Sequence, residues 1–201
     1  MLIRKLHRII GMIMVLPFLG WAVTGMVFFL KPGYAGAYES LQVKTYPLRA
    51  PLTLTPDPSW QEVKYLKTVL GLHLLVRTAQ GWKQVDPATM APRTKPTESE
   101  LRLLLSDAFT TNPSRYGEIR EALPDSVITS TNIRISLDWN RLSLQQSGPD
   151  TRRIDWLYKI HYLQWTGVKA VDEILGVVGL VLVVSLAGLD LLLQTKFMKA
   201  K

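Results

Sequence analysis

Two long stretches of uncharged sequence constrain this chain more than any other feature. Ile9–Leu30 runs 22 residues with no ionisable group, and Ile174–Leu193 runs 20 residues with only Asp190. A helix rises ~1.5 Å per residue and the hydrocarbon of a bilayer is ~30 Å thick, so each run is read as a transmembrane helix. The first run also has features of a cleaved signal: a basic start at Arg4, Lys5 and Arg8, and a later Ala35-Gly36-Ala37 triplet. The apolar region of a signal peptide is only ~7–15 residues long. Lys31 and Pro32 also separate this run from the triplet, so retention as an anchor is expected.

Charge sets the orientation. The chain holds 24 Lys and Arg against 16 Asp and Glu, a formal +8 that by itself would suggest a nucleic-acid partner. Six of the basic residues flank the runs, however: Arg4, Lys5 and Arg8 before the first, and Lys196, Lys199 and Lys201 after the second. By the positive-inside rule, both termini are expected in the cytoplasm and residues 31–173 outside it. That segment is only mildly basic, so no nucleic-acid partner is expected. Cysteine is absent, which excludes a disulfide framework, a thiolate metal site and a cysteine nucleophile.

The predicted organisation follows the chain. Residues 1–8 are a cytoplasmic basic flank, 9–30 the first span, and 31–59 a Pro-rich tether with four prolines between Tyr46 and Ser59. Residues 60–152 are an extracytoplasmic α+β domain. Within it, Leu72–Thr78 and Trp82–Val85 predict a hairpin turning at Ala79-Gln80-Gly81. Thr97 and Glu100 form a capping box before a helix carrying Leu101, Leu104, Leu105 and Ala108. A shorter helix is predicted from Ser114 to about Leu123, and a second hairpin from Asn132–Leu137 and Arg141–Gln145. Residues 153–168 are an amphipathic helix lying on the outer leaflet, anchored by Trp156, Tyr158, His161, Tyr162 and Trp165 at headgroup level. The second span is 174–193, and 194–201 a cytoplasmic basic tail.

Several segments together resemble the PepSY-associated transmembrane family of bacterial envelope proteins. Leu6-His7-Arg8-Ile9-Ile10-Gly11 and Trp21-Ala22-Val23-Thr24-Gly25 are similar to the family's pattern in its first span. Leu157 to Gly167 (LYKIHYLQWTG) resembles the segment before a later span, and Trp82 to Thr89 (WKQVDPAT) the hairpin and turn that end a PepSY module. The resemblance implies two transmembrane helices flanking a small PepSY-like α+β periplasmic domain in the bacterial inner membrane. Met90 stands where the family's turn has glycine, and two spans stand where larger members have about four.

Candidate chemistry is sparse. A heptad seam of Arg4, His7, Gly11, Met14, Phe18, Trp21, Gly25 and Phe28 predicts one packing face on the first helix. Gly176, Gly179, Val183, Ala187 and Asp190 predict its counterpart on the second. Antiparallel packing then brings Asp190 to Arg8 or His7, and a clasp there would offset the cost of a carboxylate in hydrocarbon. The alternative for His7 is ligation of haem b, with Gly11 leaving room for porphyrin and the second axial ligand coming from another copy or a partner. His73 reads as a structural histidine within a strand. Neither His161 with Asp155 nor any other group has catalytic or zinc-binding spacing. No enzyme active site and no metal site are expected.

Two functions remain open. One is a membrane-anchored accessory or interaction protein serving a membrane complex, an iron- or redox-related system or an envelope peptidase, with lipid and a membrane protein or second copy as partners. The other is a haem-bearing electron-transfer component.

Overall fold

Both apolar runs are helical in the computed structural model, which describes residues 2–49 and 57–199. The chain divides into two units, one formed by Met1–Ala35 with Arg152–Lys201 and the other by Gly36–Thr151. The first unit is helical. It holds α1 (Leu2–Leu30) and, after the short α2 (Tyr34–Ala37) and the second unit, most of α5 (Pro149–His161) and all of α6 (Lys169–Lys199). α1 and α6 are each long and apolar enough to cross a membrane.

The second unit is α/β. Its first sheet is an antiparallel meander of β1 (Glu62–Thr68), β2 (Gly71–Thr78) and β3 (Gly81–Val85). Two helices follow, α3 (Glu98–Phe109) and α4 (Pro113–Tyr116). A second meander of β4 (Ile119–Leu123), β5 (Ser126–Thr129), β6 (Arg134–Asp138) and β7 (Ser143–Ser147) completes the unit.

α3 shows how local sequence builds the core. Thr97 Oγ1 accepts from the Glu100 amide, and the Thr97 amide donates to Glu100 Oε2 at 2.8 Å, so the predicted capping box is formed. These Thr97 donors hold the Glu100 carboxyl below its usual pKa. Past the cap, Leu101, Leu104, Leu105 and Ala108 fall on one face at steps of three and four. All four are buried in a cluster with Leu75 of β2, Val127 of β5 and Ile135 and Leu137 of β6. The alternate residues of β2, Leu74 and Val76, join Val85 in a smaller cluster on the other face of the first sheet.

The structure corrects three expectations for this unit. Leu41 and Val43 belong to the main core, and isolated bridges pair Gln42 with Ser143 and Tyr46 with Lys67. The start of the expected tether is therefore structural, while its residues 50–56 lie outside the described ones. The helix expected from Ser114 stops at Tyr116, because Gly117 takes φ +61 and a Cβ there would lie 2.3 Å from Ser130 Oγ. Strand β4 follows instead. β1 and β5 were also not foreseen: β1 has no clean alternation of apolar and polar residues, and β5 is only four residues long.

The first hairpin ends in a tight turn. Asp86 Oδ1 accepts from the amides of Ala88 and Thr89, both at 2.9 Å, and these bonds hold its carboxyl below the usual range. Met90 closes the turn at φ +61, a left-handed conformation that strains a side chain with a Cβ by about 1–2 kcal/mol. Glycine is free of that strain but loses more backbone entropy on folding. Met90→Gly is therefore expected to stabilise the protein by about 0.5–1 kcal/mol, seen as a higher midpoint in thermal unfolding of the detergent-purified chain.

Candidate functional site

Within the helical unit, α1 packs on two partners with different stretches of its length. Its buried residues are Ile10, Met14 and Thr24, with His7, Trp21 and Phe28 half-buried on the same side. His7, Met14, Trp21 and Phe28 lie on this side of α1, with Met14 and Thr24 its most buried members, and Ile10 and Thr24 are buried where Gly11 and Gly25 were expected. A Cβ at Gly25 would meet nothing within 4 Å, and Phe18 is exposed. Gly11 does face α6, with Leu186 Cδ1 4.0 Å from the place of its missing Cβ. α1 and α6 are therefore packed against one another at that end.

The second half of α1 receives α5. Phe28 stacks on Tyr158 with ring centroids 4.6 Å apart, and it meets the His161 ring edge-on at 5.2 Å. Trp21 Nε1 donates to the His161 carbonyl at 2.7 Å, and Thr24 Oγ1 lies 2.8 Å from His161 Nδ1. Gly20 allows this approach, since its Cβ would come within 3.3 Å of Ile160 Cγ2. As numbers fall along α1 they rise along α5, so the two helices are antiparallel neighbours.

Gly20 is close to the middle of the 22-residue apolar run. The end of α5 therefore lies alongside that run, which corrects the expectation of a helix flat on an outer surface. The physical reason is local: Ile154, Leu157 and Ile160 supply an apolar face, and Trp21 and Thr24 supply polar partners for the α5 terminus. Of the five residues assigned to headgroup anchoring, Tyr158 and His161 contact α1, whereas Trp156, Tyr162 and Trp165 are exposed.

A turn with Leu163 at φ +57 and Gly167 at φ +74 leads from α5 into α6. Asp172 Oδ1 fastens it, accepting from the Thr166 amide at 2.9 Å and from Thr166 Oγ1 at 2.7 Å. Gly176 and Gly179 take up this turn: the Tyr162 carbonyl lies 3.8 Å from the Cβ place of the first, and Leu163 Cδ1 2.6 Å from that of the second. Sequence spacing assigns both glycines to packing on α1 together with Ala187, which is exposed. The gap between α1, the turn and α6 is a cavity of about 1030 Å³ lined by Trp21, His161, Tyr162, Gly176, Leu180 and Val183, among others.

The predicted clasp does not form. Asp190 is exposed and accepts from Gln194 Nε2 at 2.9 Å, one turn further along its own helix. Among the described residues no ion pair joins it to Arg8 or His7. A same-helix amide satisfies the carboxylate without requiring a match across two helices. Around His7, the candidate for haem ligation, Leu186 Cδ1 stands 4.0 Å from the Cβ place of Gly11 and neither of the chain's other histidines is placed beside it. His161 is held by Thr24 at the other half of α1, and His73 is in the α/β unit.

His73 is fully buried in the first sheet. Its Nε2 lies 2.8 Å from Thr68 Oγ1 and its Nδ1 2.9 Å from Gln84 Oε1, while Arg93 Nη1 stands 3.1 Å from Nδ1. Gln84 Oε1 can only accept, so Nδ1 carries the proton and Nε2 accepts from the Thr68 hydroxyl. Burial, reinforced by the Arg93 charge, pushes the imidazole pKa down to about 4, against an opposing pull from Gln84. The unfolded chain takes up a proton near pH 6.5 that the folded chain refuses until about pH 4, so stability falls as pH drops through that window. The loss is expected to reach roughly 3 kcal/mol. His73→Gln should flatten it in urea unfolding measured from pH 7 to pH 4.

For α5 docking, Thr24→Val is expected to destabilise the detergent-purified protein by about 1–2 kcal/mol, because it strands the His161 Nδ1–H. Gly25→Ala, one residue along and facing open space, should leave the thermal midpoint unchanged.

No protein-family model, curated protein or solved structure matches the chain.

Proposed function

We propose that the chain is a membrane-anchored, non-catalytic accessory protein of the PepSY-associated transmembrane kind. In this reading α1 and α6 cross the bacterial inner membrane with both termini in the cytoplasm, and the α/β unit lies in the periplasm. Its partner is a larger membrane complex, with iron- or redox-related systems the first candidates.

One observation carries the reading. In the most apolar stretch of α1 only 11% of residues are buried, and in that of α6 only 6%. The core helix of a water-soluble protein buries its apolar surface, so helices this exposed need lipid or other helices around them. Arg4, Lys5 and Arg8, in the first turns of α1 ahead of its apolar run, support the orientation. The left-handed Met90 supports the family resemblance, since it occupies the position where the family's turn has glycine and needs that conformation.

The test is topological. A reporter active only outside the cytoplasm, inserted in the exposed β2–β3 turn between Ala79 and Gln80, is expected to work. The same reporter fused after Lys201 should be silent. Activity at Lys201 would overturn the two-span orientation, and silence at both positions would overturn export of the α/β unit.

A further inference from the structure

We propose that the cavity beside His161 binds a lipophilic aromatic alcohol, of the chemical class of a membrane hydroquinone, with His161 Nε2 accepting its hydroxyl hydrogen. The inference rests on the membrane reading above and adds a ligand to it.

The protonation of His161 follows from its neighbours. Thr24 has one hydroxyl proton, and the Gly20 carbonyl lies 2.6 Å from Thr24 Oγ1, with the Trp21 carbonyl at 3.4 Å. A carbonyl can only accept, so the hydroxyl proton goes to Gly20 and the Thr24 oxygen turns a lone pair toward His161 Nδ1, 2.8 Å away. Nδ1 therefore carries a proton, and in the neutral imidazole Nε2 is left as an acceptor. Nε2 has no partner among the described residues. The nearby indole N–H of Trp21 is already committed to the His161 carbonyl. In an apolar setting such an acceptor calls for a donor from outside the chain.

That requirement sorts the possible ligands. A phosphate diester, a carboxylate or an oxidised quinone presents acceptors only, and none of them satisfies Nε2. A hydroxyl headgroup does. The rest of the cavity suits a flat headgroup on an apolar tail, since Trp21 and Tyr162 contribute rings and Val177, Leu180 and Val183 line the wall along α6. Two cations line the cavity, Lys159 and Lys169, and Lys169 is paired with Glu173 at 3.8 Å, so an anionic lipid headgroup is the competing ligand that the experiment must separate. A volume of about 1030 Å³ is at the upper end of small-molecule sites.

The experiment uses the full-length protein in phosphatidylcholine nanodiscs, titrated anaerobically with decylubiquinol and separately with decylubiquinone. The reduced form is expected to bind roughly tenfold or more tightly than the oxidised one, the difference that one satisfied acceptor makes. His161→Phe should abolish that preference. Leu180→Trp, which fills the cavity without touching the His161–Thr24 pair, should abolish binding of both forms. Equal affinity for the two forms would overturn the proposal. So would displacement of the ligand by an equimolar amount of phosphatidylglycerol, which would make the cavity a lipid groove. A haem absorption band lost with His161→Phe would also overturn it, by assigning Nε2 to iron. Extraction of the chain from native membranes by alkaline carbonate would overturn the membrane reading itself. Resistance to carbonate without a redox preference would overturn only the ligand.

Discussion

The arrangement of the helical unit depends on the polar contacts that Trp21 and Thr24 make with His161. If α1 crosses a bilayer, polar groups in its apolar stretch have no water to fall back on, and an unpaired one is costly. Thr24 meets this demand twice, once to the Gly20 carbonyl and once to the imidazole, and in doing so fixes the rotation of α1. That rotation presents Gly20 to Ile160 and Phe28 to Tyr158. With α5 set, the turn after it can lie only where α6 has no side chains in the way, at Gly176 and Gly179.

The two engaged histidines solve the same electrostatic problem to different degrees. His73 is matched on both nitrogens, by Thr68 and by Gln84, inside a sheet that closes over it. His161 is matched on one. A fully matched buried imidazole is a piece of polar core, adding specificity to the packing around Trp139. A half-matched one beside a cavity of this size has bonding capacity left for something else.

Much of the fold was legible in local sequence. The two helices follow from uninterrupted apolar length, α3 from Thr97 and Glu100, and the β2–β3 hairpin from a strand pattern broken at Ala79-Gln80-Gly81. What was not legible depends on partners distant in sequence. His7, Met14, Trp21 and Phe28 fit two heptad phases equally well, and the choice between Gly25 and Thr24 as the inner residue is made by α5, about 137 residues away. Glycine was a misleading guide for the same reason. Gly11, Gly20, Gly176 and Gly179 all permit close approach, yet only Gly11 approaches the helix that spacing had suggested. Asp190 carries no sequence signal for its partner, because an amide one turn away on its own helix suffices where a cation is the usual match.

The short bridge between Gln42 and Ser143 sets the order in which the α/β unit can be finished. Leu41 and Val43, which flank it, are part of the core, yet their cross-chain neighbour is synthesised about a hundred residues later. Contacts of such long sequence separation form late, because the chain entropy lost in closing the loop must be spent before they can compensate for it. The segment just after α1 therefore has to wait, unpaired, while β1 to β6 and α3 assemble around their own local contacts. Emergence of β7 is then the event that lets this first-made piece of the unit take its place.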